Sequence, residues 1–181
     1  MSFHNLQNDP VAWHILEERA RVLASQKTLD SEELGEAYVI FRLGDNGYRI
    51  PTRFVRVAQP LGRYSLLPST PSFVVGLVNV YGRLLVALDL RPLLDIASAP
   101  IQLGAYLLIV ATSAMEVGIV ADVIVGVQQG DSTLMPALST TSGHRVVWAQ
   151  GMDRDLNLQI DPELLFADLQ LGINTAQQAM S

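Results

Sequence analysis

The sequence of 181 residues contains no cysteine. This absence excludes disulfides and thiolate metal sites, and it fits a protein of a reducing cytoplasm. Histidine is nearly as scarce, since only His4, His14 and His144 occur. None of them has a ligand partner at metal-binding spacing, so the sequence predicts no metal site and no cofactor.

Long hydrophobic runs are also missing. The two longest, 105–111 and 117–127, are far shorter than the roughly 20 residues that span a bilayer, and Asp122 interrupts the second. The first ten residues have neither a basic start nor an apolar core, which argues against a signal peptide. We therefore expect a soluble cytoplasmic protein with no direct membrane insertion.

Negative charge is absent from one long segment. Residues 46–88 contain no Asp or Glu, although the whole chain has a formal net charge of −6. The acidic balance argues against binding to nucleic acid. The segment carries Arg49, Arg53, Arg56, Arg63 and Arg83. It is either a solvated face whose arginine stems cover apolar edges or a cationic docking face for an acidic protein surface.

Catalytic motifs are missing or incomplete. There is no glycine-rich phosphate loop and no nucleophile elbow, and residues 142–144 (Ser-Gly-His) lack an orienting carboxylate. A β-barrel hydrolase of the aspartic type is the alternative from another class, but only residues 131–133 (Asp-Ser-Thr) resemble its Asp-Thr-Gly loop, without the glycine and without a second copy. We expect Asp89 and Asp122 to cap or orient backbone at strand ends. The sequence therefore predicts no enzyme.

An amphipathic helix is predicted over residues 10–25. Asp9 and Pro10 suit an N-cap and a first helical position, and an apolar stripe follows at helical spacing. The stripe consists of Trp13, Leu16, Ala20 and Leu23. It packs either on the protein's own strands or on a partner helix, which includes self-association with a second copy.

From residue 37 the apolar period changes to two, which is typical of β-strands. We predict strands over 38–43, 48–50, 54–58, 73–80, 84–88, 106–111, 117–120, 123–127, 146–150 and 155–160. Residues 62–71 are predicted to form a loop, and residues 89–96 a short helix or turn. Asp161 and Pro162 predict a helix that ends near residue 169, before a disordered tail over 170–181.

Short antiparallel strands with few helices predict a mainly β fold, built as small barrels or a sandwich. A break at 97–104 divides the strands into two sets of similar size. This division fits two small barrels packed together.

The chain from about residue 37 to 169 resembles the CheW-like adaptors of bacterial chemotaxis arrays. The opening hairpin matches in 38–41 (Tyr-Val-Ile-Phe), Tyr48 and Ile50. The central segment matches in Pro68, Pro71, Phe73, Gly76, Asn79, Gly82 and 89–91 (Asp-Leu-Arg). The second half matches in 118–123 (Gly-Ile-Val-Ala-Asp-Val), Val127 and Pro136. The order and spacing of these fragments carry the resemblance.

The resemblance implies two SH3-like five-stranded β-barrels over 37–169, intertwined and divided near 97–104. The helix and linker of residues 1–36 lie outside them, and a C-terminal helix follows them. It implies a non-catalytic adaptor that couples the cytoplasmic tips of chemoreceptors to the regulatory domain of a CheA-type histidine kinase at receptor arrays. A scaffold for pili motility or gene-regulatory signalling is the alternative within the family.

The resemblance also implies two protein-binding surfaces. The kinase-side residues are Val55, Val57, Asn79, Tyr81 and Gly82. The receptor-side residues are Gly118, Val120, Val123 and Val127. Alternate valines also fill barrel interiors, so some of these residues are expected to belong only to the core.

Two kinase-side positions depart from the family pattern. Val57 stands where a glutamate is usual, and Tyr81 where an arginine is usual. The resemblance implies that these two positions lie close enough to form an ion pair in other members. Replacing an ion pair by an apolar contact can be neutral or stabilising. We hypothesise that Val57 and Tyr81 touch and that this surface engages a matched, non-standard kinase.

Overall fold

This computed structural model describes residues 35–97, 99–130, 133–136 and 146–169. Several features of the sequence lie outside these ranges. They are the predicted N-terminal helix, the tail after residue 169, the three histidines, and residues 131 and 132 of the Asp-Ser-Thr motif. Within the described ranges the chain is mainly β, as predicted.

The strands of the described residues are numbered along the chain. They are β1 (Glu36–Leu43), β2 (Asn46–Pro51), β3 (Val55–Pro60), β4 (Tyr64–Ser65), β5 (Val74–Val80), β6 (Arg83–Leu88), β7 (Tyr106–Ala111), β8 (Glu116–Ala121), β9 (Val123–Gly130), β10 (Ala149–Met152) and β11 (Leu158–Ile160). Short 3-10 helices cover Thr52–Phe54 and Arg91–Leu94. Residues 162–169 are α-helical and form α1.

Most predicted strands are present, with three differences. The predicted loop over 62–71 contains β4, which pairs with β5. The strand predicted over 146–150 begins only at Ala149, because residues 147–148 form a turn. The last strand begins at Leu158, after a loop in which Asp153 accepts backbone N–H groups.

The strands form two sheets. One has the order β10-β11-β2-β1-β9, and the other has the order β3-β7-β8-β6-β5-β4. Each sheet therefore takes strands from both sides of the 97–104 segment, so the sheets are intertwined and that segment is not a boundary between them. The reason is that two parallel pairings, β6 with β8 and β2 with β11, join strands that are distant in sequence.

The six-stranded sheet is strongly curved. Pro60 ends β3 at one edge of the sheet, and Tyr64 begins β4 at the other edge. Four residue steps span at most about 14 Å, whereas the edges of a flat six-stranded sheet would lie about 24 Å apart. The sheet must therefore curl until its edges approach each other.

The two edges of the five-stranded sheet are also connected. Met135 follows β9 at one edge, and its N–H donates to the carbonyl of Met152 in β10 at the other edge over 2.8 Å. The Met152 N–H returns a bond of 2.9 Å to Met135. Curled sheets of this kind fit small barrels, and their SH3-like character stays a prediction.

Two hydrophobic clusters share the strands β7 and β8. In β7, Leu108 and Val110 belong to the cluster that includes most buried residues of β1 and β2, whereas Leu107 and Ile109 belong to the cluster lined by β5 and β6. Both faces of these strands are thus buried, which explains why their sequences read as continuous apolar runs rather than as alternating patterns.

The predicted start of the C-terminal helix is confirmed. Asp161 accepts the N–H groups of Glu163 and Leu164 with one carboxylate oxygen, at 2.9 and 3.2 Å. Leu165 and Phe166 then place α1 against the first cluster. The carboxylate satisfies two N–H groups that have no partner within the helix.

Replacing Gly76 by alanine is expected to lower the free energy of unfolding by about 2–4 kcal/mol. Gly76 has a φ of +147°, and a Cβ there would overlap the carbonyl oxygen of Ser65 on the neighbouring strand β4. The matched control is Gly62→Ala. A Cβ on Gly62 would have no atom within 4 Å other than those of its chain neighbours, and Gly62 has no positive φ. We expect this control to stay within about 0.5 kcal/mol of the wild type in urea unfolding; equal losses in both variants would contradict the strain argument.

Candidate protein-binding surfaces

A buried ion-pair network connects the two sheets. Arg91, with 2% of its surface exposed, donates one N–H of its guanidinium to Asp89 over 3.0 Å and another to Asp122. Asp122 lies between β8 and β9, and it also accepts the N–H of Gly44, in the turn between β1 and β2, over 2.6 Å. The network therefore joins the end of β6, the β8–β9 connection and the β1–β2 turn.

The predicted roles of Asp89 and Asp122 are confirmed, because each orients backbone at a strand end. Asp89 accepts the backbone N–H of Arg91 over 3.0 Å, in addition to its guanidinium. The sequence analysis missed Arg91 itself as the group that joins the two carboxylates. The signal was that Arg91 and Asp89 lie close together after an apolar strand, while Asp122 is the one charged residue in the apolar run 117–127.

The network alters the acidity of its members. Burial alone would raise the pKa of Asp122, but hydrogen bonds from Arg91 and from the Gly44 N–H, together with the positive charge of Arg91, hold it below its ordinary value. Burial alone would lower the pKa of Arg91, but the hydrogen bond to Asp122 and the charges of both carboxylates raise it instead. Arg91 and Asp122 are therefore both charged at neutral pH.

The kinase-side residues Asn79, Tyr81 and Gly82 lie together at the tip of the β5–β6 hairpin. Val80 pairs with Arg83, so Tyr81 and Gly82 form a two-residue turn. Their φ angles of 50° and 83° are both positive, which is the conformation of a type I′ hairpin turn. The Asn79 side-chain oxygen accepts the Gly82 N–H over 2.8 Å.

The kinase-side residues Val55 and Val57 lie in β3 and face opposite sides of the sheet. A register shift between them pairs Val55 with Val110 and Val57 with Ile109, so each valine packs against a different cluster. Val57 therefore faces the inside of the six-stranded sheet, whereas 85% of the surface of Tyr81 is exposed. The hypothesis that Val57 and Tyr81 touch therefore stays a hypothesis.

The receptor-side residues fall into two groups. Gly118 and Val120 of β8 are buried, and a Cβ on Gly118 would lie 2.5 Å from a methyl carbon of Leu107. Their assignment to an accessible groove is wrong, because β8 lies in the middle of the six-stranded sheet with both faces covered. Val123 and Val127 of β9 are exposed, as an accessible surface requires.

Val125 belongs with the exposed valines of β9, although the sequence analysis missed it. It lies between Val123 and Val127 on the same face and is half exposed, while Ile124 packs against the first cluster. We refer to Val123, Val125 and Val127 as the valine stripe. The period of two in the sequence was the signal that could have identified its third member.

The arginines of segment 46–88 do not form one cationic face. Arg49 is buried, donates to Gln159 over 3.0 Å and to Asp153 over 3.3 Å, and stacks over Tyr38. Arg83 forms an ion pair of 2.6 Å with Glu116. The alternative of a cationic docking face is therefore wrong for Arg49 and Arg83.

Arg53 matches the other interpretation of the segment. Its guanidinium lies 4.6 Å from the centre of the Phe54 ring, so it covers an apolar edge.

Among the described residues, no group of three or more metal-ligating side chains could hold a metal ion, and no helix is long and apolar enough to cross a membrane.

The chain is similar to known proteins of one family. A family model for the CheW-like domain matches residues 37–170. Protein FrzA of Myxococcus xanthus is 31% identical over 109 residues, which cover 60% of this chain and 65% of FrzA. The chemotaxis protein CheW of Helicobacter pylori is 31% identical over 78 residues, which cover 42% of this chain and 46% of that protein. The chain thus spans less than two thirds of both relatives.

A solved structure shares the fold. The scaffolding protein TtCheW from Thermoanaerobacter tengcongensis superposes with a TM-score of 0.60 at 20% identity, over 70% of this chain and 87% of that chain. Together, the matches confirm the resemblance on which the sequence analysis relied.

Replacing Arg91 by methionine is expected to lower the free energy of unfolding by about 3–5 kcal/mol, because two partly buried carboxylates would lose their shared cation. Arg63→Met is the matched control, since Arg63 is exposed. We expect the control to change stability by less than about 0.5 kcal/mol in urea unfolding. A loss in Arg91→Met no larger than that of the control would show that the network contributes little.

The network also predicts a loss of stability in acid. The pKa of Asp122 is lower in the folded state than its unfolded value of about 3.9. Its contribution is therefore fully present above about pH 4 and is lost as the pH falls through the folded pKa. Urea unfolding of the wild type and of Asp122→Asn between about pH 5 and about pH 3 should show a shallower decline for the variant. Parallel declines would contradict the assignment.

Proposed function

The chain belongs to the CheW-like domain family, and we propose that it is a non-catalytic adaptor that couples chemoreceptors to a CheA-type histidine kinase. The observation that carries the proposal is the family match over residues 37–170, which contains both exposed surfaces described above. We infer that the protein acts in the cytoplasm, at receptor arrays.

Two separate surfaces suit an adaptor. The β5–β6 hairpin tip belongs to the six-stranded sheet, and the valine stripe belongs to β9 of the five-stranded sheet. An adaptor transmits a signal through contacts alone, so its binding surfaces must keep a fixed relation to each other. The Arg91 network supports this requirement, because Asp122 immediately precedes β9 and Asp89 immediately follows β6.

The valine stripe is the surface that we assign to the receptor. Three valines alternate along the outward side of an edge strand, and each is about half exposed or more. Contiguous apolar side chains that face solvent are typical of protein-binding sites rather than of free surface. A partner that covers the stripe would bury apolar surface without having to neutralise a charge.

The double variant Val125→Ser/Val127→Ser is expected to bind a cytoplasmic receptor fragment from the same organism at least about tenfold more weakly than the wild type. Replacing each isopropyl group by a hydroxymethyl group removes apolar area that the receptor would bury. The affinity for the kinase regulatory domain should not change. Isothermal titration calorimetry measures both affinities on the full chain.

Val147→Ser provides the matched control for this experiment. Val147 is 60% exposed and Val127 is 64% exposed, but Val147 lies in the turn before β10 rather than in the stripe. We expect the control to bind both partners normally. Wild-type protein that binds neither partner would overturn the proposed function, and unchanged receptor binding by the double variant would overturn only the assignment of the stripe.

A further inference from the structure

The tip of the β5–β6 hairpin is rigid. The ladder between the two strands continues to the pair Val80 and Arg83, and the Asn79 side chain closes the turn by accepting the Gly82 N–H. Val80 and Leu85, on either side of the turn, are buried in the second cluster. Side chains at this tip are therefore held in place before any partner binds, which reduces the entropy lost on binding.

Tyr81 is an unusual residue for this position. Its φ of 50° is uncommon for residues other than glycine, asparagine and aspartate, and the first central position of a type I′ turn favours those residues. Packing does not offset the strain, since 85% of the tyrosine is exposed. Neither the preference of the turn nor packing within the described chain therefore explains a tyrosine at this position.

Leu84 extends the same apolar feature. It pairs with Asn79 and is 67% exposed on the outward face of β6. Val86, two residues further along that face, packs against the first cluster. Tyr81 and Leu84 thus lie where the outward face of the hairpin continues beyond the protein's own core. The sequence analysis did not identify Leu84 as a surface residue.

The tip is also electrically neutral. Arg83 is the only charged residue in the segment 64–88, and Glu116 holds its guanidinium at 2.6 Å. A partner of acidic character would find no free cation there. Charge complementarity therefore favours a neutral, apolar partner surface.

We propose that Tyr81 and Leu84 form a preorganised anchor that inserts into a neutral apolar pocket of the kinase regulatory domain, and that Tyr81 determines which kinase is bound. This inference rests on the proposed adaptor function. Exposed aromatic residues that fill a partner's pocket commonly supply a large share of the binding energy at protein interfaces.

The decisive variant is Tyr81→Asn, because it separates folding from binding. Asparagine tolerates the positive φ of the turn, so urea unfolding should show a stability equal to or higher than that of the wild type. The same variant lacks the aromatic ring, so its affinity for the kinase regulatory domain should fall by at least about tenfold. Tyr81→Phe should keep its affinity within about threefold, since the ring supplies the apolar surface.

Leu103→Asn is the control for the loss of an exposed apolar side chain. Leu103 is fully exposed in a different turn, and its replacement should leave kinase binding unchanged. Titration calorimetry of the full chain with the kinase regulatory domain, repeated from about 0.05 to about 0.5 M salt, should give nearly constant affinity for the wild type. A steep loss of affinity with salt would overturn the neutral pocket.

The remaining outcomes separate the inference from the function on which it rests. Wild-type protein that does not bind the kinase domain would overturn both. Normal kinase binding by Tyr81→Asn would overturn the anchor and leave the adaptor function intact. A wild-type dimer in sedimentation that Tyr81→Asn abolishes, with kinase binding retained, would identify a second copy as the occupant and overturn the choice of partner.

Discussion

The rest of the structure depends on the interaction of Arg91 with Asp89 and Asp122. A buried guanidinium is costly unless its charge and N–H groups find partners, and here two carboxylates from different parts of the chain supply them. Because Asp122 also holds the Gly44 N–H, the interaction connects the β1–β2 turn of one sheet to strand ends of the other. Two segments that appear as separate family motifs in the sequence therefore meet at one arginine.

The burial of both faces of β7 and β8 is the second constraint on the structure. These strands supply residues to both hydrophobic clusters, so neither has a face left for a partner. Gly118 shows how tight this arrangement is, since its missing side chain makes room for Leu107. β7 and β8 therefore offer no accessible face, whereas β9 and the β5–β6 hairpin tip leave apolar side chains exposed.

Local signals in the sequence predicted local structure well. The strands of the β1–β2 and β5–β6 hairpins and the Asp161 cap each depend on a few neighbouring residues, and each was predicted. The strand pairings that interleave the sheets were not predictable, because the parallel pair of Ala87 with Gly118 leaves no mark at either position. Gly118 and Val120 were assigned to a surface by the resemblance alone, and the period of two could not correct this, because it identifies the two faces of a strand but not which face is covered.

A position is informative when its residue is not one that the local backbone conformation favours. In most of the chain, turn chemistry, strand pattern and packing agree, as expected for a sequence that specifies one fold. Asp95 adopts a positive φ as the C-cap of a 3-10 helix, so its conformation serves the fold. Tyr81 adopts one with neither a capping role nor a packing role for its ring. A smaller polar residue would suit that turn better, and this mismatch is the ground on which we propose that Tyr81 contacts a partner.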